Sequence, residues 1–255
     1  MTNLLDLSGK HICVVGGSRG IGAASARMAA SAGAAVSLTY RADQDAGEAL
    51  EAEIRSGGGQ AVALKAEVAL DGAMDAALDN AVHQLGPLWG MVISAGIFEG
   101  CPVERMTTEF WDRTMAINVR GTFLAVRAAT RHLRAAHHGG SIVIYTSTAG
   151  QRGSAEYSAY ATSKGAQIMF MRSMANELAP NRIRVNCIAP AWTETDLVAA
   201  SLDTLGRDTV AAGFPMGRIG QPEDVAGATC FLLSDLASFI TGSTITVDGG
   251  MDMRG

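Results

Sequence analysis

The strongest constraint on this chain is an alternation running along its whole length. Short apolar runs of strand length are separated by longer stretches of helical period. The runs cover 11–15, 35–40, 60–66, 88–94, 141–147, 183–188 and 244–247, and the helical patterns cover roughly 20–32, 43–56, 71–85, 107–135, 157–179 and 222–234. Several runs are apolar throughout, as strands covered on both faces must be. Gly33 and Pro180 fall where helices should stop. Seven strands alternating with six helices predict an α/β fold with a doubly wound, seven-stranded parallel sheet and helices on both faces. No Pro/Ser-rich linker or internal repeat divides the chain, so 1–255 reads as a single domain.

Composition narrows the class further. With 48% hydrophobic and 18% charged residues, 255 residues bury a substantial core and are not disordered. Glycine is high, at 30 residues against about 7% in average proteins, while proline is scarce at 6; this pattern signals tight turns rather than loose linkers. A net charge of −5 without any Lys/Arg run speaks against a nucleic-acid partner. Residues 1–10 lack the basic and apolar regions of a signal peptide, and no apolar stretch approaches the ~20 residues that span a bilayer. Cys13, Cys101, Cys187 and Cys230 are scattered without a CxxC pair, which fits small hydrophobes in a reduced compartment rather than metal ligands or disulfides. The expectation is a cytoplasmic protein with no metal, membrane or nucleic-acid partner.

Ligands of such sheets bind beyond the carboxyl ends of the strands. After the first run comes Gly16-Gly17-Ser18-Arg19-Gly20-Ile21-Gly22, opening directly into a helix. Glycines let a phosphate approach the backbone, and the helix N-terminus offers it free N–H groups and a partial positive charge. No Gly-Lys-Ser/Thr closes the segment, so it is not a Walker A loop, and its spacing is GxxxGxG rather than GxGxxG. Its position opening the first βαβ unit predicts a dinucleotide site, hence a Rossmann fold. The second run ends Tyr40-Arg41 with no acid before Asp43, and Arg19 lies within the loop. Two cations there favour the 2′-phosphate of NADP(H), with NAD(H) as the alternative. Candidate cofactor contacts are Gly16, Ser18, Arg19, Gly20, Ile21, Gly22, Tyr40, Arg41, Glu67, Val68, Ser94, Ala95, Gly96, Tyr160, Lys164, Pro190, Ala191 and Thr195.

Tyr160 and Lys164 stand four apart and so share one helix face. A lysine ammonium beside a phenol favours the phenolate, suiting Tyr160 to exchange a proton with a substrate oxygen while hydride moves at carbon. Ser147, at the end of its run, is placed to hydrogen-bond that same oxygen.

These motifs together resemble the short-chain dehydrogenase/reductase family over essentially the whole chain, most closely members similar to 3-oxoacyl-carrier-protein reductase. The YxxxK pair is Tyr160 and Lys164, with Ser147 thirteen positions before the tyrosine and Asn118 matching the family asparagine. The resemblance implies that Tyr160 is the acid/base, Ser147 polarises the carbonyl, Lys164 binds nicotinamide ribose, and Asn118 holds a relay water. The tail from Ile240 to Gly250 is similar to the family's C-terminal strand and implies a homotetramer. Four departures stand out: Val15 replaces a Thr, Ile93-Ser94-Ala95-Gly96 replaces Asn-Asn-Ala-Gly, Glu67 replaces an Asp, and Pro190-Ala191 replaces Pro-Gly, with Thr195 retained.

The family builds its substrate lid from about 191–220, here rich in Trp192, Leu197, Val198, Leu202, Leu205, Phe214 and Met216. Trp192, Tyr157 and Gln151 are the candidate pocket residues, with Glu156 weighed beside them. Met169, Met171 and Met174 read as core or interface packing. A carrier-docking surface has only His137-His138 and Asn181-Arg182 to offer. The predicted activity is NADP(H)-dependent interconversion of a ketone and a secondary alcohol. The alternatives are a 3-oxoacyl thioester reductase, an NAD-linked sugar, polyol or cyclic alcohol dehydrogenase, and a non-catalytic cofactor sensor.

Overall fold

The computed structural model describes residues 5–253, so the ends of the 1–255 domain and the first four residues of the 1–10 segment lie outside the described residues. Seven strands, β1 (His11–Val15), β2 (Ala35–Tyr40), β3 (Ala61–Lys65), β4 (Leu88–Ile93), β5 (Gly140–Tyr145), β6 (Ile183–Pro190) and β7 (Thr244–Val247), form one sheet. Its order is β3-β2-β1-β4-β5-β6-β7 and every pairing is parallel. The strand order reverses between β1 and β4, which opens a crevice above their carboxyl ends.

Side chains of β1 alternate between the two faces. Cys13 and Val15 join a core under α3 (Ala73–Leu85), α5 (Gly121–Ala136) and α7 (Ser158–Leu178). Ile12 and Val14 join the opposite core under α1 (Gly20–Ser31), α2 (Gln44–Ser56) and α10 (Pro222–Leu233). Burial on both faces explains why these strands read as continuous apolar runs.

The structure departs from the sequence pattern in three places. The helix expected over 107–135 is broken: α4 (Thr108–Met115) passes through a π-helical turn, Ala116–Arg120, before α5 begins. A Cβ at Gly121 would stand 2.9 Å from Val68 Cγ1, so this glycine lets the helix pass close to the β3 exit. The run expected to end at Ser147 stops at Tyr145, because Ser147 turns to cap the unforeseen α6 (Thr148–Arg152) by accepting from Ala149 N at 3.1 Å. The segment 191–220 contains two short helices, α8 (Ala199–Leu205) and α9 (Arg207–Ala212), over a small apolar cluster of Leu202, Val210, Phe214 and Ile219.

α6 lies directly on α7. A Cβ at Gly150 would come within 2.6 Å of the Lys164 carbonyl carbon, and one at Gly165 within 3.2 Å of Gly150 O. This crossing has no room for a methyl group, because the obstructing atoms are backbone. Gly150→Ala therefore lowers stability by about 1–3 kcal/mol, seen as a reduced urea midpoint with an unchanged m-value.

Candidate active site

The loop after β1 is held by backbone and by one hydroxyl. Val15 O accepts from Ser94 N at 2.9 Å and Ala95 N at 3.0 Å. Gly16 N donates to Thr39 Oγ1 at 3.2 Å, and Gly17 N donates to Thr39 O at 3.0 Å. Thr39 on β2 thus anchors a loop whose own first position, Val15, has no hydroxyl. Gly16 has φ +74°, and a Cβ there would meet Ala95 Cα at 2.8 Å. Only glycine fits this turn. Arg19, exposed at the N-cap of α1, makes no side-chain capping bond, so the first amides of this helix keep no side-chain cap.

A cavity of about 500 Å³ opens above this loop. Its wall takes in every cofactor candidate except Gly22, together with Ser147. Gly22 lies under the loop, where a Cβ would stand 2.3 Å from Gly16 O. Thr39, Asp43, Ile97 and Thr146, which no motif marked, complete much of the wall with Thr193, Asp196, Leu197 and Val198 of the 191–220 segment. Arg41 stands 3.8 Å from Glu67 across the β2 and β3 exits. The residues fit an extended dinucleotide: glycine backbone and open helix amides for the phosphates, with Arg41 just past β2 and Arg19 in the glycine loop on the same cavity wall.

Tyr160 and Lys164, both buried on α7, reach the same cavity as Ser147. Lys164 Nζ donates to Tyr145 O at 2.8 Å and lies 5.7 Å from the centre of the Tyr160 ring. Burial pushes the Tyr160 phenol up to about 12, opposed by Ser147. This is the reverse of the lowering expected from a neighbouring ammonium, because desolvation dominates. Burial also brings Lys164 down to about 8, with the nearby Cys187 acting in the other direction.

Asn118 lies outside the cavity wall, fully buried in the π-helical turn. Its amide accepts from Ile97 N at 2.9 Å and donates to Ile97 O at 3.1 Å and Ser163 Oγ at 3.0 Å. Its backbone carbonyl accepts from Thr122 Oγ1 at 2.7 Å and Gln167 Nε2 at 2.8 Å.

The three pocket candidates separate. Tyr157 and Trp192 gather around Phe98, a residue with no motif to mark it, while Gln151 Nε2 donates to Thr246 Oγ1 on β7 at 3.1 Å. Glu156 is exposed with φ 64°. Met171 is core, Met174 packs against it and Met169 is exposed, so the three share no face. His137, His138, Asn181 and Arg182 precede β5 and β6, at the amino end of the sheet. That is roughly 20 Å from the site, the length of a six-residue strand such as β5. Among the described residues no cluster of three or more His, Cys, Asp or Glu side chains is placed to hold a metal ion, and no helix is long and apolar enough to cross a membrane.

A parallel sheet with its glycine loop and Ser–Tyr–Lys group at one crevice defines a dinucleotide-dependent oxidoreductase. The family model described as enoyl-(acyl carrier protein) reductase matches residues 15–252, and the chain belongs to the short-chain dehydrogenase/reductase family, whose members use a nicotinamide cofactor. It is similar to 3β-hydroxysteroid dehydrogenase 1 of Eggerthella lenta (36% identity over 249 residues, 97% of this chain and 95% of that one). It is also similar to a 3-oxoacyl-[acyl-carrier-protein] reductase of Synechocystis sp. (35% over 248 residues, 97% and 98%). The crystal structure of a short-chain type dehydrogenase/reductase from Mycobacterium marinum superposes with a TM-score of 0.93 at 35% identity, covering 98% of each chain.

With Lys164 at about 8, the native state binds fewer protons than the unfolded chain from there up to the ordinary lysine value. The buried lysine's cost is therefore fully felt below pH 8 and fades as pH rises towards 10.5. Lys164→Met removes that cost, so its stability advantage over the parent shrinks by about 1 kcal/mol between pH 7 and pH 9 in urea titrations.

Proposed function

We propose that the protein is an NADP(H)-dependent oxidoreductase that interconverts a ketone and a secondary alcohol. The observation that carries this reading is the convergence of Ser147, Tyr160 and Lys164 on the wall of the cavity that also takes in the glycine loop. A bound nicotinamide supplies or accepts the hydride. Ser147 orients the substrate oxygen, and Tyr160, kept protonated at neutral pH by burial, gives it a proton in the reducing direction. Lys164, titrating near 8, carries a charge at neutral pH and binds the nicotinamide ribose. Asn118 acts as a brace: its carbonyl is already engaged by two donors, and its amide joins the β4 exit to α7.

Residues 1–255 act in this reading as one catalytic domain, with 191–220 as the lid and Tyr157, Trp192 and Gln151 as pocket residues. The relatives' names span steroid and carrier-linked substrates. The position of His137, His138 and Arg182 at the far end of the sheet supports a small free ketone over a carrier-docked one. Exposed Phe239 and Leu236 near β7, and Phe123 and Met169 on α5 and α7, support a homotetramer that covers them. We place the protein in the cytoplasm.

Tyr160→Phe abolishes turnover and leaves dinucleotide binding, followed by fluorescence titration, intact; retained turnover would sink the mechanism. Arg41→Ala raises KM for NADPH about tenfold and KM for NADH much less; equal changes in steady-state kinetics would point to NAD(H).

A further inference from the structure

Resting on the oxidoreductase reading above, we propose that the substrate is a neutral ketone, or the matching alcohol, whose carbonyl carbon is carried on a planar ring. The motive is an aromatic wall beside the proton donor. The Phe98 ring is T-shaped to Tyr160, with centroids 4.9 Å apart and planes at 84°. Its face stacks on Tyr157 at 4.7 Å and 9°, and it meets Trp192 edge-on at 5.7 Å and 85°.

Two of the rings are held from behind. Tyr157 lies against Gly100, where a Cβ would approach its ring to 2.9 Å. Trp192 packs on the lid cluster of Leu202, Phe214 and Ile219. Tyr160 lines the cavity and Phe98 stands edge-on to it, so the packed rings form a backing beside the proton donor that needs little reordering when a ligand arrives. A flat ring stacks or edges against such a wall without losing rotamers, whereas a flexible chain on the same wall gives up freedom at every bond.

Charge argues for neutrality. Arg19, Arg41, Asp43 and Glu67 line the cavity at the β2–β3 end, while beside Tyr160 stands Lys164, whose Nζ is directed to Tyr145 O. Glu99, next to Phe98 in sequence, is paired with Arg113. The cation beside these rings is Lys164, 5.7 Å from the Tyr160 ring, and in the reading above it binds the nicotinamide ribose, so a carboxylate or phosphate on the substrate would compete with the cofactor for it.

The test compares 1-tetralone with 2-decanone, two ketones of equal carbon number, in steady-state reduction with NADPH and NADH. The expected result is a kcat/KM about tenfold higher for 1-tetralone. Phe98→Leu should then cut this preference severalfold, mainly through KM for 1-tetralone, and Trp192→Leu should do the same from the lid side. Equal or reversed preference in the parent, or a ratio unchanged in both variants, overturns the ring proposal and leaves the oxidoreductase reading standing. Turnover of neither ketone overturns both.

Discussion

The site depends on one buried amide. The Asn118 side chain has no access to water, so every one of its polar atoms must find a protein partner or incur the cost of an unmade bond. It finds them in two other elements: both backbone groups of Ile97 beyond β4, and Ser163 on α7. Ser163 in turn donates to Tyr160 O at 2.7 Å. The exit of the central strand, the π-helical turn and the helix carrying the tyrosine are therefore fixed relative to one another by polar bonds, while the apolar cores on each face hold them to the sheet.

On that frame the chemistry follows from burial. Lys164 is covered by the close approach of α6 at Gly150, and Ser147, which caps α6, lines the same cavity as Tyr160 and Lys164. Desolvation raises the phenol and lowers the ammonium, which favours the neutral form of each group. The segment 191–220 is built differently, from short helices on a separate small cluster.

Most of the frame was legible because both its periods are physical. Strands buried on two faces leave continuous apolar runs, and Tyr160 and Lys164 had to share a face at a spacing of four. What escaped had no period to betray it. α6, α8 and α9 are too short for a helical repeat to register. Phe98 lies in irregular chain after β4, and its signal, an aromatic residue just past a strand's carboxyl end, becomes meaningful only once Tyr157 and Trp192 are brought beside it. The basic pair His137-His138 was misplaced because sequence does not say which end of a strand faces the ligand until the strands are oriented. The direction of the Tyr160 shift was misjudged because helical spacing reports proximity and not solvent exclusion.

The π-helical turn has a further consequence. Such a turn accommodates one extra residue while the α-helical segments on either side keep their faces. Loss of a single residue from Ala116–Arg120 would let α4 and α5 join into one ordinary helix, with both apolar stripes still on the sheet. The brace at Asn118 would go, and the fold would remain. One in-frame codon deletion thus removes the amide that ties the β4 exit to α7, and the step back is an insertion at the same place.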